Sequence, residues 1–345
     1  MKDVSNRITR NNHYVPQFYL KNWSDDGKKL WTYCFLVPNH KCPYWKQTAI
    51  KSTAVWNDFY TRTVDQEELD DFEQEFNRLF ETPIKHVFDK IMNNEALTED
   101  ENRAITDFVF CQWVRTPAYM LRRMNEDRKI LPKIIHKELK KAVKEVKRHP
   151  RIIYQYKDKK KEGFPLPISA AINREERRIE VDSRIGKGMY LFEVKCALDS
   201  CRKHLKKYEW HVIEAADGIE FPTSDDPVIC LNYRTENDYS FDAGWNVDNS
   251  IILMPITPKK LLFTQVAYHG DCSVLNKSER FTRLFRKMII EHAHRYLYSR
   301  TEQKGIGAIK VRRVNLKQYV YEKDGIENWH KNQTKYEREI YDKNK

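Results

Sequence analysis

The apolar residues of this 345-residue chain change their period near Trp210, and that switch limits the folds open to it. Before it they recur at helical spacing: Leu69, Phe72, Phe76, Leu79, Phe80, Val87, Phe88 and Ile91, then Ile105, Phe108 and Val109, then Ile134, Ile135, Leu139, Ala142, Val143 and Val146, and finally Tyr190, Val194, Ala197, Leu198, Cys201, Leu205 and Tyr208. After it the apolar runs are short and separated by turn residues, at 210–215, 219–221, 228–231, 251–255 and 261–266, with Asp217-Gly218 placed to join the first two as a hairpin. An aromatic and β-branched run at 30–37 predicts one further strand near the N-terminus. A helix over 278–294 and strands at 295–299 and 309–314 complete the pattern. The expectation is an α+β fold, a helical layer packed on a mainly antiparallel sheet. It is read as a single domain over residues 1–316, with 149–188 an irregular excursion and 317–345 a charged tail.

Several signals fix helix ends. Thr98 followed by Glu101 forms a capping box. Pro83 is expected to kink the helix over 66–92, and Pro117 to kink or end the one before it. Gln112 and Thr116 share one stripe with Ile105, Phe108 and Val109, and Arg115 borders it three residues from Gln112, so Gln112 and Arg115 each need a partner, because an unpaired buried amide or guanidinium is costly. Near the start, His13 lies three residues before Pro16. With Val15, Phe18, Tyr19 and Trp23 as the apolar side of a short helix and Gln17 among them, His13 is expected at a helix mouth, where the dipole lowers an imidazole pKa.

The formal charge of +12 is unevenly spread. Residues 129–162 hold thirteen Lys/Arg against four Asp/Glu, whereas 65–81 hold eight acidic residues against Arg78 alone. The basic block suits a polyanion, RNA or DNA, or is a solvated helix face; the acidic cluster reads as an exposed face. Seven cysteines without a C-x-x-C pair point to thiols in a reducing cytoplasm, and no metal or other cofactor is expected. No stretch is long and apolar enough to span a membrane, and no membrane partner is expected. Gly-x-Ser-x-Gly and glycine-rich phosphate loops are absent. Asp182 with Glu193-Val194-Lys195 matches a metal-nuclease arrangement only if 193 and 195 lie on a strand, and the helical period there places them about 200° apart.

Four separated blocks stand out: residues 13–20 (HYVPQFYL), 108–117 (FVFCQWVRTP), 221–228 (FPTSDDPV) and 255–258 (PITP). In this order they resemble the bacterial domain-of-unknown-function family 4238, over roughly residues 11–300. Ala293, Arg295 and Tyr298 fit the family's later Ala-x-Arg-x-x-Tyr pattern, while the Asn that precedes it is missing among residues 286–291. The resemblance implies candidate positions, His13, Gln17, Gln112, Arg115, Ser224, Asp225 and less clearly Asp226, and an association with bacterial accessory genes such as phage-defence effectors. As chemistry the set offers a general base (His13), a carboxylate to orient it (Asp225), an anion clamp (Arg115) and amide or hydroxyl donors (Gln17, Gln112, Ser224). That would serve metal-independent phosphodiester cleavage, or nucleotide binding without catalysis. Equally, 224–227 can be a side-chain-closed turn holding two strands, with Gln112 and Arg115 tying helix to sheet.

Overall fold

A computed structural model describes residues 8–36, 41–64, 67–148, 168–173, 175–176, 178–183, 186–204, 208–312 and 335. Its helices are α1 (Gln17–Leu20), α2 (Asp71–Phe76), α3 (Thr82–Met92), α4 (Glu99–Val114), α5 (Pro117–Arg148), α6 (Lys187–His204) and α7 (Glu279–His292). A five-stranded antiparallel sheet runs in the order Asp238–Ser240, Ile229–Thr235, Ile251–Pro255, Lys260–Gln265, His211–Glu214. A four-stranded antiparallel sheet orders Thr223–Ser224, Tyr296–Ser299, Lys29–Cys34 and Trp45–Ala49. The fold class is therefore α+β.

The five-stranded sheet is buried on both faces. Cys230, Ile252, Met254 and Leu262 point into a core with Ile84, Val87, Phe108, Val109 and Val194 from α3, α4 and α6. Their neighbours Ile229, Leu231, Leu253, Leu261 and Phe263 point the other way, onto Leu284, Phe285, Met288 and Ile289 of α7. Strand residues alternate between faces, so a strand covered on both sides reads as an unbroken apolar run, as residues 251–254 and 261–263 do. Helices thus cover both faces of this sheet, where the sequence pointed to one layer.

The capping box forms: Glu101 N–H donates to Thr98 Oγ1 at 3.3 Å and Thr98 N–H to Glu101 Oε2 at 2.8 Å. Thr98→Ala should cost about 1 kcal/mol in urea unfolding, with an unchanged m-value. Pro83 acts one turn upstream of itself. It cannot donate to the ladder, and the chain takes a π-helical turn over Asn77–Glu81 before α3. Buried Lys260 closes the other end of α3, its Nζ donating to the carbonyls of Ile91 (2.7 Å) and Met92 (3.2 Å) and to Asn94 Oδ1 (2.6 Å). A cation there satisfies the last carbonyls and complements the dipole.

Other expectations change. Helix α5 begins at Pro117, fourteen residues earlier than the period over 131–148 indicated. Ile130, Ile134 and Val143 on it are exposed at 47%, 50% and 38%, as are the lysines from Lys129 to Lys147, so the apolar stripe there is not an inner one. The irregular excursion contains an antiparallel hairpin, Ile168–Asn173 with Arg178–Ser183; residues 149–167 lie outside the described ones. Strand His211–Glu214 pairs with Lys260–Gln265, not with residues 219–221, because the Asp217-Gly218 turn leads Phe221 into a backbone bond with Pro258. The long loop expected over 232–249 starts as a hairpin between Ile229–Thr235 and Asp238–Ser240. Residues 309–312 form no strand; the rest of the expected strand and the charged tail lie outside the described residues, Lys335 apart. Among the described residues no helix is long and apolar enough to cross a membrane.

Candidate functional site

His13 does not sit at a helix mouth. It ends a short strand, Asn11–His13, paired with Val55–Asn57, and Pro16 is the extended N-cap of α1 with φ −61° and ψ 140°. α1 is a single turn continued as a 3-10 turn through Trp23, and it buries Tyr19, Leu20 and Trp23 while leaving Gln17 exposed.

The segment is held from two sides. From α4, Gln112 Nε2 donates to the Tyr14 carbonyl at 2.9 Å and Arg115 to the His13 carbonyl at 2.5 Å. From the sheets, Tyr19 Oη donates to the Pro255 carbonyl at 2.6 Å and pairs with Thr223 Oγ1 at 2.6 Å; Trp23 Nε1 donates to the Phe221 carbonyl and Asn22 Nδ2 to the Ile256 carbonyl, each at 2.8 Å. Thr116 Oγ1 donates to Asp226 Oδ1 at 3.1 Å while accepting the Tyr119 N–H, so it caps α5 and reaches the third block at once. All four sequence blocks therefore meet through direct hydrogen bonds.

Arg115 is 1% exposed and closes the helix before Pro117. Its Nη1 donates to Glu81 Oε1 at 2.7 Å and its guanidinium lies 4.8 Å from the Phe76 ring centroid. The π-helical turn is what carries Glu81 to this place. Tyr60 Oη donates to the Arg115 carbonyl at 2.6 Å, and Tyr60 N–H to Asn12 Oδ1 at 3.0 Å. Asn12 Nδ2 in turn reaches Glu73 Oε2 at 3.4 Å. Burial pushes the Glu73 carboxyl up to about 7, against the pull of Arg115, with Glu81 and Asp70 adding to the rise. Part of the acidic cluster thus faces inward: Asp70 is buried, and Glu73 and Glu81 serve Asn12 and Arg115.

Ser224 Oγ accepts the Asp226 N–H at 3.2 Å, closing the turn before Pro227. Asp225 accepts the N–H of His294 (3.0 Å) and of Arg295 (2.9 Å), one on each carboxylate oxygen. Burial raises its pKa to about 6, and Asp226 raises it while His294 lowers it. Both oxygens are occupied by backbone donors, so Asp225 fixes the strand entry at 294–296 instead of orienting His13. His292 Nδ1 donates to the Asp226 carbonyl at 3.0 Å, tying the end of α7 to the same turn. Tyr14 hydrogen-bonds Tyr298, and burial followed by the Asp225 charge raises the Tyr14 phenol well above its ordinary value.

The His13 imidazole is half-buried, and its pKa is lowered, first by burial and then by Arg115, not by a helix dipole. The Lys51 backbone, the Glu81 carboxylate and the Ile50 backbone oppose that shift. Nε2 is covered and has no hydrogen-bond partner.

Among the candidates, Gln112 and Arg115 come together with His13 through its backbone, Ser224 and Asp225 join through the turn that Thr116 grips, and Gln17 stands apart on the surface. The partners Tyr60, Glu73, Glu81 and His292 carry no spacing signal that sequence reasoning could use, whereas Thr116 lies on the same helical stripe as Gln112. Helix α6 turns Glu193 to Arg123 at 2.9 Å, and among the described residues no His, Cys, Asp or Glu cluster could hold a metal ion. Comparison with curated proteins and with solved structures gives no match. Residues 11–303, which hold all four blocks and nearly every contact described above, match the family described as protein of unknown function (DUF4238), and the chain belongs to that family.

Proposed function

We propose that the protein cleaves nucleic acid without a metal, as a bacterial effector of the defence or toxin type acting in the cytoplasm, with His13 as the group that moves protons. The observation that carries this reading is the half-buried His13 imidazole, its pKa lowered by burial and then by Arg115, with Nε2 lacking a hydrogen-bond partner. With Nε2 unprotonated, such a ring can accept a proton from an attacking hydroxyl there and return it to the leaving oxygen. Nε2 is covered in the resting structure, so substrate entry has to open it. Gln112, Arg115, Ser224 and Asp225 act as positioning residues, and Gln17 has no part in this reading. The exposed lysines of α5 supply a backbone-binding surface. They also favour a second reading, a nucleic-acid-binding module without catalysis.

Degradation of labelled RNA and DNA by the wild type and by His13→Ala, with and without EDTA, separates these. Cleavage should persist in EDTA and fall by about 10²-fold or more in His13→Ala. Because the His13 pKa is lowered and the base must be neutral, the rate should be flat through neutral pH and fall only as the pH drops below the ordinary histidine range. Absence of cleavage by both proteins, with salt-sensitive binding by both, would leave the binding module. Loss of activity in EDTA would end the metal-independent reading.

A further inference from the structure

Residues 27–57 contain five lysines, Lys28, Lys29, Lys41, Lys46 and Lys51, and no Asp or Glu, interleaved with Trp31, Tyr33, Phe35, Tyr44, Trp45 and Trp56. The fold gathers much of this stretch on one margin. Strand Trp45–Ala49 is the edge of the four-stranded sheet, paired with Lys29–Cys34. All five lysines are exposed. The nearest acids upstream are engaged: Asp26 accepts the N–H groups of Lys28 and Lys29 at 2.7 and 2.8 Å, and Asp25 faces Arg300 at 3.8 Å.

The aromatic residues form a supported platform. Tyr44 is 52% exposed, and its ring stacks on Tyr33 with centroids 5.6 Å apart and 14° between planes. Tyr33 is buried and is braced edge-on by Phe35 and Trp45, each at 5.1 Å. A ring with one face packed and much of its surface in solvent is a stacking surface for another flat π-system. The edge strand then runs directly into the 3-10 turn Ile50–Ser52, whose Ile50 and Lys51 backbone acts on the His13 imidazole.

We infer that this margin is a binding tract for single-stranded nucleic acid, with a base stacked on Tyr44 and the phosphates following Lys46 toward Lys51 and His13. The inference takes its partner class from the reading above and deepens it by naming the strand state. An unpaired base exposes the π-face that Tyr44 needs, and a duplex hides it. An acid-free row of lysines selects a polyanion over a peptide strand added to the sheet edge.

The test is fluorescence anisotropy of the full chain with labelled oligouridylate, oligothymidylate and a blunt DNA duplex, across a salt series. Single strands should bind more tightly than duplex, and the two single-strand arms tell RNA from DNA. Tyr44→Ala should weaken single-strand binding about tenfold, Tyr44→Trp should restore it, and Lys46→Glu should weaken it with a shallower salt slope. The Tyr44 and Lys46 variants should keep the wild-type circular dichroism and thermal midpoint. Equal affinity for duplex, or single-strand affinity unchanged in both Tyr44→Ala and Lys46→Glu, would overturn the tract. Single-strand binding without cleavage in the wild type sinks the nuclease reading alone. Cleavage undiminished in Tyr44→Ala sinks the tract alone.

Discussion

Replacing Arg115 with alanine is expected to lower the unfolding free energy by about 3–5 kcal/mol, the range for removing one partner of a buried ion pair. Three losses coincide. Glu81 keeps a mostly buried carboxylate without its cation, the His13 carbonyl loses its donor at 2.5 Å, and the Phe76 and Tyr60 rings lose the guanidinium packed at 4.8 and 5.9 Å. Urea unfolding measures this directly. Arg115→Lys retains the charge but not the planar fork that serves Glu81 and His13 together, so it should fall between wild type and alanine. A cost below about 1 kcal/mol, in the range of an exposed pair, would show that Arg115 does not hold the His13 segment in place.

The second large effect is a pH dependence with a definite sign. Glu73 has a folded pKa of about 7 against an ordinary value of 4.5, raised chiefly by burial. Below pH 4.5 the carboxyl is neutral in both folded and unfolded chains, and its full contribution to stability is present. As pH rises from 4.5 to about 7 the unfolded chain releases its proton first, so stability is lost across that window. The total is about 3 kcal/mol, since each tenfold difference in proton affinity between the two states is worth roughly 1.4 kcal/mol. Glu73→Gln removes the penalty, and should therefore stabilise the protein by up to about 3 kcal/mol at about pH 8 while changing little at about pH 4. Unfolding curves at the two pH values test it, and equal differences at both would refute the linkage. The effect is tied to the first one. The Arg115 charge opposes the rise at Glu73. Without it Glu73 should be harder still to ionise, so the gain from Glu73→Gln above neutral pH should be larger in an Arg115→Ala background.

These two residues also show where sequence reasoning stops. Gln112 and Arg115 were legible as polar residues that require partners, because helical spacing places Gln112 on an apolar stripe and Arg115 at its border. Their partners were not, since Tyr14 and His13 offer main-chain carbonyls about a hundred residues away and a carbonyl leaves no mark in composition. Glu73 and Glu81 belong to an acidic run that reads as a solvated face. Only the π-helical turn before Pro83 brings Glu81 within 2.7 Å of the guanidinium. Asp225 invites assignment as the partner of a catalytic histidine, yet the chain turn at 294–295 supplies two N–H donors that occupy it.

Periodicity alone determined the α+β class, the strands near 251–255 and 261–266, the capping box at Thr98 and the helix ending before Pro117, because each depends on residues within one or two turns of one another. The tertiary structure decided which strand pairs with His211–Glu214, that helices cover the five-stranded sheet on both faces, and that α5 carries its lysines and isoleucines into solvent. It also decided the direction in which the His13 pKa moves. That depends first on burial and then on a buried cation at residue 115, long-range effects that exist only once the strand, the 3-10 turn and α4 have packed together.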